Sequence, residues 1–253
     1  MFVDNSLGLM TLVLGPFVGS FIGLLSLRLP AGRAWAVSRS ACAACGRTLG
    51  IVDLAPLLSY LVLGGRCRTC RGAIPVRYPL FEAGCLLIAA WSFAAKSGWL
   101  VPATAILGWQ LLLIAVIDAE HFWLPDLLTV PLGLVGAVVT ILFTDAPYWA
   151  PLAGAAIGFG ALAFIAWAYK RVRGHEGLGG GDPRLLGAIG AWVGWQGLAS
   201  VLVWACVAGL SVAAAMLITR RRLPEDQKLP FGTFLAIGAW LTWLLGPLHA
   251  LLR

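Results

Sequence analysis

Two small groups of residues in this chain have the types and spacing that chemistry needs. The first is a pair of aspartates. Asp118 closes an apolar run, Ile114-Ala-Val-Ile-Asp118, and Asp182 ends a glycine-rich stretch, Gly177-Leu-Gly179-Gly180-Gly181-Asp182-Pro183. Two neighbouring carboxyls suffice for hydrolysis of an amide: like charges oppose double ionisation, so one stays an acid while the other serves as base. The second group is four cysteines in two CxxC pairs, Cys42 with Cys45 and Cys67 with Cys70, separated by 21 residues. Each CxxC turn aims two thiolates at one point, and two such knuckles complete the tetrahedral sulfur shell of a structural zinc site. Two disulfides or reduced thiols are the alternatives at this stage. A zinc with four sulfur ligands keeps no open position for water, so the metal is expected to staple structure rather than to hydrolyse.

The elements that must position these groups are membrane helices. Of 253 residues, 60% are apolar and 11% charged, against roughly 45–50% and about 25% in soluble domains. Apolar runs long enough to span a bilayer lie at about 6–27, 79–97, 100–118, 125–144, 149–169, 184–199, 200–219 and 231–251. The expected fold is an all-α polytopic bundle of about eight helices. Merging the sixth and seventh runs near Gly197 gives a count of seven. Charge favours eight: with the N-terminus outside, sixteen of the eighteen Lys and Arg residues fall in cytoplasmic loops, leaving only Lys96 and Arg253 outside. The first run has no basic n-region before it and is read as a retained helix rather than a signal peptide. The net charge of +7 does not point to nucleic acid, because the basic residues are spread over these loops and form no single surface.

Three segments follow: a first transmembrane helix over residues 1–29, a cytoplasmic four-cysteine insertion over 30–78, and a bundle over 79–253 that carries the aspartates. An insertion this small lacks core for independent stability, and a reducing compartment argues against disulfides there. Around the aspartates, Pro125 and Pro183 open helices, three consecutive glycines permit close approach of a second chain, and Asp126 has the position of a helix cap or hydrogen-bond partner. Glu120, Glu176 and His121 are candidates for solvated side chains. Each carboxyl alone also fits a structural role. The glycine run lacks the Lys-Ser/Thr of a phosphate loop and follows no strand. Intramembrane carboxyls beside glycine-broken helices also mark transporters, and an assembly scaffold without turnover is a third possibility. A transporter would not explain the cysteine insertion, and a scaffold predicts binding without turnover.

The two CxxC pairs, Arg77-Tyr-Pro-Leu-Phe-Glu82, the stretch from Asp118 to Leu124-Pro125-Asp126, and Glu176-Gly-Leu-Gly179-Gly180-Gly181-Asp182 occur in that order. In this the chain resembles the type IV prepilin peptidases, Gly-x-Gly-Asp aspartyl proteases of bacterial inner membranes. The resemblance implies cleavage of the leader peptide of prepilins or pseudopilins at the cytoplasmic face, with Asp118 and Asp182 as the catalytic pair and Gly179, Gly181, Glu176 and Asp126 in support. It further implies N-methylation of the new terminus by S-adenosylmethionine, for which Glu82 is the candidate residue. Arg184 stands where relatives often carry Lys, keeping the charge but not the geometry.

Overall fold

The structure is a computed structural model that describes residues 2–34, 40–175, 177–219 and 229–251. It is helical throughout, apart from two isolated antiparallel bridges, and it divides into two compact units, Met1–Trp109 and Gln110–Arg253. Seven of its helices are long and apolar enough to cross a membrane.

In the first unit, α1 (Phe2–Arg28) packs against α3 (Arg77–Ala95). Gly15, Gly19 and Gly23 recur every fourth residue along α1, and side chains added there would press on Cys85, Glu82 and Phe81 of α3. This is the small-residue seam by which apolar helices approach without a hydrophobic driving force. Arg77 locks the head of α3 to α1, its Nε and Nη2 donating to Ser26 Oγ at 3.2 and 2.9 Å while its guanidinium covers the Phe81 ring. Between these helices the chain forms two short turns, a 3-10 turn (Val52–Leu54) and the short helix α2 (Leu58–Val62). The start of α4 (Leu100–His121) belongs to this unit and its end to the second.

In the second unit, α5 (Asp126–Phe143), α6 (Ala150–Arg173), α7 (Asp182–Ile218) and α8 (Phe231–Leu245) form the bundle, followed by the short α9 (Leu248–Leu251). A straight α7 of 37 residues would reach about 55 Å, far beyond a hydrocarbon core of about 30 Å. It is not straight. Gly194 has φ 66° and ψ 175°, a conformation essentially reserved for glycine. The chain doubles back there, since Gly158 of α6 lies against both Leu186 and Leu198, and Gly154 against both Gly190 and Gly194. The returning limb runs antiparallel to α8, with Gly197 beside Thr242, Val201 beside Gly238 and Gly209 beside Phe234. Seven helices thus make eight passes. The reversal falls at Gly194, three residues before the boundary expected near Gly197, because Gly194 takes the one backbone conformation that breaks the helix.

Candidate functional site

Within the second unit, α4 ends, α5 and α7 begin, and α8 begins at one end of the bundle, and both aspartates lie there. Asp118 is 5% exposed in the last turns of α4. Its Oδ2 accepts the Thr233 backbone N–H at 2.7 Å, a donor at the opening turn of α8, where free amides favour an anion. Thr233 Oγ1 lies 2.8 Å from Ala115 O and 3.2 Å from the same Oδ2, sharing one proton between them. Asp182, also 5% exposed, is the first residue of α7. Its Oδ2 accepts the Gly179 N–H at 3.1 Å while its own N–H donates to Gly179 O at 3.2 Å, a reciprocal pair that fixes the carboxyl's direction.

The two carboxyls are near enough to interact electrostatically. Leu124 fills the gap between their supports: a Cβ on Gly181 would come within 2.5 Å of Leu124 Cβ, and one on Gly232 within 2.8 Å of Leu124 Cδ1 and 2.9 Å of Asp118 Oδ2. Gly181 and Gly232 are therefore glycine for want of space. Phe122, one turn after Asp118, has φ 51° and its N–H closes on Asp118 O at 2.9 Å. A bulky residue in that left-handed position is strained, and it turns the chain toward Leu124.

Of the other expected residues, Asp126 opens α5 and accepts Arg184 Nη1 on both oxygens, at 2.7 and 2.8 Å. Both side chains are more than half exposed, so the pair adds about 0–1 kcal/mol and ties the start of α5 to the start of α7. Glu120 and His121 are exposed at the end of α4. Glu176 lies outside the described residues. Thr233 escaped the sequence reading because it acts mainly through its backbone, and Leu124 stood in the Leu124-Pro125-Asp126 motif without a role because a lone leucine carries no chemical signal. The run Pro230-Phe-Gly232-Thr233 before the last span, with proline and glycine as around Asp182, was the available hint.

In the first unit the four cysteines converge, every pair of Sγ atoms within 4.8 Å. The two knuckles are built alike. Ala41 bridges Thr48 and Arg66 bridges Ala73, the Cys42 N–H bonds Arg47 O, and the Cys67 N–H bonds Gly72 O. Each turns at a positive-φ residue just after its second cysteine, Gly46 and Arg71. Zinc–sulfur bonds of about 2.3 Å in a tetrahedron set sulfurs about 3.8 Å apart, and Cys42 Sγ and Cys70 Sγ are separated by 3.8 Å with all cysteines free of disulfides. The donor set fits zinc. Amides of Cys70 and Thr69 push the Cys67 thiol down to about 6 and those of Cys45 and Ala44 lower Cys42, whereas, against the Gly72 amide, the neighbouring cysteine thiols and burial push Cys70 up to about 11. Asp53 joins the knuckles by accepting Arg47 Nη2 and Arg68 Nε, both at 3.0 Å, and the Gly50 N–H at 3.2 Å. That amide first, then the two guanidiniums, holds its carboxyl below the usual range. Glu82, on α3, accepts the Leu57 N–H at 2.7 Å. Cys85 is fully buried and Cys206 exposed, and neither joins the cluster.

The family model for the type IV leader peptidase family matches residues 105–214, and that for the bacterial peptidase A24 N-terminal domain matches residues 13–95. A prepilin leader peptidase/N-methyltransferase of Burkholderia pseudomallei is 39% identical, over 95% of this chain and 86% of the relative. The chain belongs to the type IV leader peptidase family. Relatives with the same name from Pseudomonas aeruginosa (34% identical, 94% of this chain and 90% of theirs) and Aeromonas salmonicida (37%, 83% and 72%) agree. No solved structure matches. As a type IV leader peptidase the chain is an aspartic-type enzyme of a multi-pass membrane protein, and the transporter reading finds no support.

Proposed function

We propose that this enzyme cuts the leader from prepilins or pseudopilins with Asp118 and Asp182 as its catalytic pair. The observation that carries the proposal is the meeting of two buried aspartates from separate helices, each held by a backbone amide, at one end of the bundle. One carboxyl takes a proton from water as its oxygen adds to the scissile carbonyl carbon, and the other gives a proton to the carbonyl oxygen. Collapse of that intermediate breaks the C–N bond, with the proton taken from water passing to the leaving amine. Gly179 orients Asp182, Gly181 admits Leu124 beside it, and Asp126 acts through Arg184. Glu176 supplies charge near the basic leader, an attraction that weakens with salt.

The aspartate end of the second unit is the cytoplasmic face. Lys170, Arg171, Arg173 and Arg184 lie at that end, whereas residues 144–149 and the reversal at Gly194 carry no Lys or Arg. Both termini are then periplasmic, in the inner membrane, with the insertion at 30–78 cytoplasmic between the helix at 1–29 and the bundle at 79–253. Cys42, Cys45, Cys67 and Cys70 hold a structural zinc that folds the insertion. The relatives' shared name includes N-methyltransferase, and the same activity here takes its methyl group from S-adenosylmethionine. The partners are the substrate and the lipid bilayer, not nucleic acid. A prepilin-like peptide incubated with the purified enzyme, with products weighed by mass spectrometry, tests both reactions: cleavage leaves the shortened chain, and methylation adds one methyl mass. Uncut substrate refutes the peptidase reading, and a cut product that never gains mass refutes methylation.

A further inference from the structure

The second unit holds a groove that the aspartates do not account for. Its volume is about 310 Å³, at the lower end of ligand sites, about 300–1,000 Å³. Gly133 of α5 and Ala155 of α6 stand on its two sides, with Gly187, Ala188 and Ala191 of α7 between them. A Cβ on Gly133 would come within 3.3 Å of Ala188 Cα, and one on Gly187 within 3.2 Å of Ala155 O. The α7 backbone thus touches both sides, and no large side chain fills the space. Small residues in this arrangement let another helix approach closely in lipid. The groove follows α5 from Asp126 to Ala137, about 16 Å of helix, or half of a hydrocarbon core of about 30 Å.

The head of the groove says what it takes. Asp126 and Arg184 line it there. Arg184 shares the first turn of α7 with Asp182, and Asp126 follows closely on Leu124, the side chain packed between the supports of the two aspartates. The groove therefore leads up to the aspartates. Because Asp126 and Arg184 pair with each other, an anionic lipid headgroup would meet no net charge. One turn further in, Thr129 is 2% exposed, and its Oγ1 has no hydrogen-bond partner among the described residues. A helical threonine ordinarily donates to the carbonyl four residues back, but Pro125 O already accepts the Leu128 and Thr129 N–H groups at 3.0 and 3.3 Å. A buried hydroxyl left this way is costly unless a ligand completes it. An acyl chain offers it nothing. A peptide does, because a helix must unwind to be cut, and the N–H and C=O groups it frees need partners at the edge of the bilayer. Asp126 can accept, Arg184 can donate, and Thr129 can do both.

We propose that this groove seats the apolar helix of the substrate, and that Thr129, Asp126 and Arg184 at its head receive the unwound peptide between that helix and the scissile bond. This inference rests on the leader-peptidase reading of the aspartates. For the test, a prepilin-like substrate carries a diazirine amino acid in the cytoplasmic half of its apolar helix. It is irradiated with the full Asp118→Asn chain in lipid nanodiscs, where it stays uncut, and the products are digested and weighed. Label in peptides within residues 126–137 or 184–191 is expected. Label confined to residues 1–95, to α8 or to lipid overturns the groove. Kinetics on otherwise wild-type enzyme give a second reading. Thr129→Val is expected to raise KM about threefold to tenfold, as loss of one hydrogen bond does, and Ala137→Phe, which fills the groove, about tenfold or more, both with kcat within about twofold of wild type. An unchanged KM in both variants overturns the groove whatever the label shows. If the wild type cuts this substrate while the label lies elsewhere, the groove alone is wrong. If the wild type leaves it uncut, the leader-peptidase reading falls as well.

Discussion

At the scale of single residues, the pair of aspartates is distinguished from its neighbours by burial and by what holds it. Asp118→Asn or Asp182→Asn should each lower cleavage by about a thousandfold, in the range of lost acid–base catalysis, with zinc content unchanged by metal analysis. Asp126 makes only an exposed ion pair with Arg184, so Asp126→Asn should cost less than about tenfold in kcat; a loss as deep as that of Asp118→Asn would place Asp126 in the chemistry instead. Thr233 supplies both its amide and its hydroxyl to the Asp118 side of the site. Thr233→Val, which keeps the amide, should lower kcat by about tenfold at unchanged KM, and Thr233→Ser should restore it. Beyond the hint of the Pro230-Phe-Gly232-Thr233 run, this support was not legible in the chain, because the decisive donor is a backbone N–H 115 residues from the carboxyl it serves.

At the scale of elements, the helices and knuckles were legible because their causes are local. Apolar runs of spanning length became helices with ends within a few residues of expectation, and the paired CxxC spacing became two matching turns around one point. The reversal in α7 was harder to place, since Gly187, Gly190, Gly194 and Gly197 are all candidates and no charged residue marks the turn. Only packing against α6 and α8 decides among them. Gly194→Val should destabilise the protein by about 1–3 kcal/mol, the penalty for a side chain in that conformation, read as a lower Tm; an unchanged Tm would contradict the hairpin. For the insertion, Cys67→Ser should abolish stoichiometric zinc and expose residues 40–75 to protease, since metal binding and folding are one event in such modules. Protection that survives zinc loss would show that the hydrogen bonds around Asp53 suffice.

At the scale of the whole molecule, an ordinary membrane bundle carries the proposed peptidase chemistry at one of its ends. Helices in lipid satisfy their own backbone, so buried polar side chains stand out, and the two fully described acids buried in the second unit are the proposed catalytic pair. The charge pattern fixes which end faces the cytoplasm: cysteines introduced at Asp145 and at Arg173 should react with a membrane-impermeant thiol reagent from opposite sides, the first from the periplasm. The most direct test of the central claim is cleavage of a prepilin-like substrate by wild-type, Asp118→Asn and Asp182→Asn enzyme, matched for zinc content and followed by mass spectrometry. The account predicts leader release by the wild type and none by either variant. Cleavage at the wild-type rate by either one would contradict it.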